Sequence, residues 1–121
     1  MAAPNVVNVT TITGKTDVLD VTDTATAVTT NAASSGQVYK IGSLVISNID
    51  GTNDDQITVD LYRGSTAYHI ASTVAVPANS TLVLISKDNS IYMEEGDELR
   101  CTAATNSVLQ AVCSYEIIDD A

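Results

Sequence analysis

Residues 47–64 read SNIDGTNDDQITVDLYRG, and their reading decides the fold. The first part crowds Asp50, Asn53, Asp54 and Asp55 around Gly51. The second alternates Ile57, Val59 and Leu61 with Thr58, Asp60 and Tyr62. A period of two marks a β-strand with one face on a core and the other wet. Asp, Asn and Gly in series supply the backbone conformations that a strand connection needs. The same residues also raise a calcium loop, which takes about six to eight oxygens at fixed positions. Here the glycine follows Asp50 at once, and no acidic residue fills the second ligand position of an EF-hand pattern. DGTNDD therefore reads as the bend between two strands, with an opportunistic cation site as the alternative.

Outward from this stretch the same grammar recurs. Strands are predicted over residues 38–49, 56–63, 67–76, 80–86, 90–93, 98–103 and 108–117, separated by DGTNDD, RGST, VPANS, SKDNS, EEGD and ATNS. No segment sustains a helical period. Short strands at near-regular spacing predict an all-β fold, an antiparallel β-sandwich or jelly-roll-like single domain over residues 36–121. Residues 1–35 read as an N-terminal arm or peripheral strands. Residues 6–12 are extended, Gly14-Lys15 punctuates, and residues 18–21 form a second short strand. Residues 22–37 are Thr, Ala and Ser with few large side chains, so alone this segment is expected to be mobile unless a neighbouring subunit orders it. Residues 21–30 also fit an edge strand.

At 121 residues the length suits one domain. The chain has no Phe and no Trp, so Val, Ile, Thr and Ala carry most of the apolar load, and their β-branched members suit a pleated surface. Five basic residues against 15 acidic ones give a net charge of −10, which repels phosphate backbones and anionic membranes. Neither nucleic acid nor membrane is an expected partner. No apolar run approaches a membrane span, and the start MAAPNVVNVTT lacks the features of a secretory signal. Cys101 and Cys113 fall on apolar faces and read as buried free thiols, with a cross-strand disulfide as the alternative. MEEGDE, residues 93–98, offers carboxylates but no aromatic or basic groups to hold a substrate, and reads as a solvated turn. The lone His69 reads as an ordinary strand residue. No phosphate loop, metal set or nucleophile context stands out, so neither an enzyme nor a cofactor is expected.

One further signal comes from VYKIGSLVISNIDG, ITVDLYRGSTAYHIASTVAVPANSTLVLISKDNSIYMEEGDELR and SYEII. A strand ending in SN before a polar turn, a VPA(N)ST turn into an apolar strand, and K-D-x-x-I-Y-x-E-x-G-D-x-L resemble small structural proteins of tailed-phage virions, notably those of cyanophages and other marine phages. The resemblance covers residues 38–117. It implies a capsid decoration, or cement, protein that binds the major capsid protein and reinforces the shell as a homotrimer on the virion surface. A neck, tail or tail-fibre component is the alternative, and a carbohydrate-binding module a more distant one. The partner-binding residues it points to are the arm (Val6, Val7, Val9 and Ile12) and the tyrosines Tyr39, Tyr62 and Tyr68, since tyrosine is favoured at interfaces.

Overall fold

In the computed structural model, which describes residues 9–120, the apolar alternation resolves into two stacked sheets. The described residues form strands β1 (Val9–Asp20), β2 (Thr26–Thr30), β3 (Gln37–Asn48), β4 (Asp55–Arg63), β5 (Thr66–Val76), β6 (Thr81–Ile85), β7 (Ile91–Met93), β8 (Glu98–Ala103) and β9 (Leu109–Asp120). Sheet one runs β1-β9-β3-β6, with β7 also paired to β3; sheet two runs β2-β8-β4-β5. Every pairing is antiparallel.

The topology has a simple origin. Pairs β1 with β9, β2 with β8, β3 with β6 and β4 with β5 nest inside one another, so the chain is one long hairpin. Alternate pairs lie in opposite sheets, which wraps that hairpin into a jelly roll. Its tip is the two-residue turn Gly64-Ser65, where φ is +59° and +61°. Both values are positive, as a type I′ turn requires, and that turn matches the twist of the flanking strands.

The core between the sheets is aliphatic. Ile41, Leu44, Ile46, Ile57, Val59, Leu99 and Leu109 are wholly buried in it, with Tyr115 the one aromatic ring among its buried members. Each such aliphatic side chain contributes about 1.5–3 kcal/mol by leaving water. A bulge at Gly42 lets Ile41 and Leu44 both face the core, because Ile41 lies opposite Tyr115 while Ser43 already lies opposite Ser114.

The N-terminal third is laid along this frame. Residues 9–35, read above as arm or peripheral strands, supply one edge strand of each sheet. Val21 and Val28 from this segment join the core. Two details differ from the sequence expectation. Gly14-Lys15 does not punctuate: β1 passes through it unbroken, because Gly14 pairs with Glu116 and Lys15 with Tyr115 along β9. The Thr/Ala/Ser stretch is fixed by Asn31, whose buried amide donates to the carbonyls of Gln37 and Met93 at 3.0 and 3.1 Å.

Candidate interaction surface

Strand register builds a feature on the outer face of sheet one that no single strand contains. Val18 pairs with Val112, Val112 with Val45, and Val45 with Val83. One valine from each of β1, β9, β3 and β6 thus stands in a row, spanning about 14 Å at ordinary strand spacing. Val18 is 72% exposed and Val83 59% exposed, while Val112 and Val45 are half-buried between them. Polar rows flank the valines, and their side chains already satisfy one another. Thr16 and Ser114 share a hydrogen bond of 3.0 Å, Ser47 and Thr81 one of 3.2 Å, and Gln110 donates to Asp20 at 2.8 Å. At the β1 end the row borders a depression of about 430 Å³ lined by Val18, Asp20, Gln110 and Val112. The stripe is apolar, nearly uncharged and rimmed by satisfied polar groups, the pattern of a protein-binding patch.

The residues singled out from the sequence do not gather on one surface. Val6 and Val7 lie outside the described residues, and Val9 opens β1 opposite Asp120. Ile12 is exposed on β1 opposite Ile118, which in turn pairs with buried Val38. Tyr39 stacks on Tyr115 with ring centroids 5.1 Å apart. Tyr62 lies in sheet two under the Arg100 guanidinium, 3.9 Å from its ring centre. Tyr68 is exposed on β5, at the edge of sheet two. The valine row escaped the sequence reading because each member is one ordinary position in an alternating strand. Only the register of four strands aligns them.

The acidic clusters are engaged in holding the fold. In DGTNDD, Asp50 Oδ1 accepts the backbone N–H groups of Thr52 and Asn53 at 2.8 and 3.2 Å, which lowers its pKa. Asp54 accepts from Ala78 N and Asp55 from Thr105 N, so the three carboxylates serve different donors. Among the described residues no group of three or more His, Cys, Asp or Glu is placed to hold a metal ion.

MEEGDE is not a solvated turn throughout. The Asp97 side chain is fully buried and accepts Arg63 Nε at 2.9 Å, Arg63 Nη2 at 2.6 Å and Glu94 N at 2.7 Å. Glu95 accepts Gly36 N at 2.9 Å. The outer face of β4 is likewise not simply wet: Asp60 is 3% exposed and accepts Arg100 Nε at 2.9 Å. Sequence spacing did not reveal either pair, because Arg63 and Arg100 reach their partners 34 and 40 positions away in the chain.

Cys101 and Cys113 are buried and free. Burial pushes the Cys101 thiol up to about 12 and the Cys113 thiol up to about 11. Thiols held protonated in this way are poor nucleophiles.

Fold and surface together define the class: a small acidic jelly-roll module with an apolar valine stripe on one face. No protein-family model matches the chain, and no curated protein matches its sequence. Among solved structures, one of Bacillus endospore appendages, described as a novel family of disulfide-linked pili, is similar. It has a TM-score of 0.53 at 18% identity, over 92% of this chain and 90% of that one. A pentameric capsid protein from metagenomic phage sequences aligns with a TM-score of 0.41 at 16% identity, over 86% of this chain and 64% of that one. The first likeness establishes a shared fold.

Proposed function

We propose that this protein is a structural component of a tailed-phage virion that decorates the outer surface of the capsid by binding the major capsid protein. The observation that carries the reading is the valine row. A stripe of aligned valines on a chain of net charge −10 is stabilised by meeting another apolar surface. Burying the two exposed valines completely contributes about 3 kcal/mol. The acidic remainder of the surface limits nonspecific sticking. The resemblance of residues 38–117 to phage virion proteins supplies the setting, and the fold shared with an appendage subunit fits a role in assembly. That structure's pili are described as disulfide-linked, whereas both thiols of this chain are buried, so docking in this reading uses no disulfide. In this reading the protein works by contact rather than by reaction, as a trimer, with the arm residues Val6, Val7, Val9 and Ile12 as a second contact.

The test is particle occupancy of a Val18→Glu, Val83→Glu double variant. Both sites are exposed, so thermal stability should stay within about 1 kcal/mol of the parent. The variant is expected to be missing from purified virions, and those virions to lose heat resistance. Occupancy equal to the parent's, measured against the major capsid protein, defeats the reading. A parent ratio matching tail symmetry instead of shell symmetry moves the protein to the neck, tail or tail fibre.

A further inference from the structure

Lys15, Lys40 and Lys87 line a single hollow of about 460 Å³ beside the Gly42 bulge. The chain has only five basic side chains. Two of them, Arg63 and Arg100, are held by Asp97 and Asp60. Of the three lysines that remain, Lys15 stands opposite core-facing Tyr115 and reaches Asp17 on the inner face of sheet one, whereas Lys40 of β3 and Lys87 of the 3-10 turn Lys87–Asn89 supply the positive charge of the hollow. Among the described residues no carboxylate comes within ion-pair distance of Lys40 or Lys87, and Lys15 stands 3.9 Å from Asp17. Glu116, opposite Lys40 in register, also lines the hollow and offsets one of the two charges. Ser90 and Ser114 add hydroxyl groups to its wall. A net positive concavity on a molecule of charge −10 focuses the local field on an incoming anion.

We propose that this hollow binds a carboxylate, and that its occupant is an acidic side chain presented by the protein on which the valine row docks. Lys40 and the valine row share the outer face of sheet one: Glu116, the register partner of Lys40, lies four residues along β9 from Val112. One partner surface can thus reach both. Lysines act as point charges, which a single carboxylate can meet without bidentate geometry. The acidic remainder of the surface turns away polyanions as long as nucleic acid. The identity of the occupant rests on the docking reading; the affinity of the hollow for a carboxylate does not.

The experiment is titration of the intact protein with a synthetic hexaglutamate peptide at low salt, followed through the backbone amide resonances. Saturable shifts confined to Gly14, Gly42, Ser90 and Ser114 are expected. They should weaken about tenfold in a Lys40→Gln, Lys87→Gln double variant, as loss of two exposed ion pairs implies. They should also fade as the screening length falls from about 30 Å to about 10 Å between 0.01 and 0.1 M salt. The Val18→Glu, Val83→Glu variant should retain them, so this titration and the particle assay fail separately. Absence of localised shifts, equal shifts in the lysine variant, or response only to an oligogalacturonate would overturn the proposal, the last in favour of an acidic glycan.

Discussion

Arg63, the last residue of β4, grips both oxygens of the fully buried Asp97 carboxylate, through Nε at 2.9 Å and Nη2 at 2.6 Å. The same guanidinium meets Glu94 at 3.3 Å. The contact fastens the turn between β7 and β8 to the β4–β5 hairpin. Removing Arg63 leaves a buried negative charge without its counter-ion, which is costlier than removing the charge itself. Because the Arg63 side chain is 35% exposed, water recovers part of that cost. Arg63→Ala is expected to lower the unfolding free energy by about 2–4 kcal/mol, and Asp97→Asn by about 1–2 kcal/mol. Urea denaturation measures both, and an alanine variant no weaker than the asparagine one contradicts the account.

Arg100 combines two roles that a lysine cannot share. Its Nε and Nη2 donate to the two oxygens of Asp60 at 2.9 and 3.4 Å while its plane covers the Tyr62 ring. An ammonium keeps the charge but loses the flat stacking surface and the fork. Arg100→Lys should cost about 1–2 kcal/mol in thermal unfolding, despite unchanged net charge. A loss under ~0.5 kcal/mol would mean that charge alone holds Asp60.

The thiols predict a limit at high pH. Their ordinary value is 9.0, and in the folded protein burial raises Cys101 to about 12 and Cys113 to about 11. The unfolded chain thus sheds these protons first, so their contribution is complete below pH 9 and is lost as pH climbs toward 11 to 12. Tyr115 acts in the same direction, raised above 10.0 by burial and by donating to Asp17 at 2.8 Å. Urea midpoints should hold steady to pH 9 and fall beyond it, with a shallower fall in Cys101→Ala. At pH 8 a disulfide reagent should leave the native thiols unmodified and react with both in denaturant. Rapid modification of the native protein would show that the core opens there.

The strands were legible because the forces that fix them are local. The predicted span 98–103 coincides with β8, and the spans 38–49 and 56–63 each lie within a residue or so of β3 and β4. In each, alternation chooses the buried face and a turn residue sets the end. The RGST connection closes as a two-residue turn because Gly64 accepts positive φ without penalty. Legibility failed where a residue takes its meaning from a distant strand. Gly14 reads as a breaker until β9 pairs with it, and Asp97 reads as a surface acid until Arg63 covers it.

The amino-acid order alone determined an acidic, aromatic-poor, all-β chain, since composition and a period of two are properties of neighbouring residues. Whether a given acid faces water, which valines stand side by side, and where Lys40 meets Lys87 were decided only by tertiary structure. Those features depend on register between strands remote in sequence, and a shift of one residue would send every side chain to the opposite face.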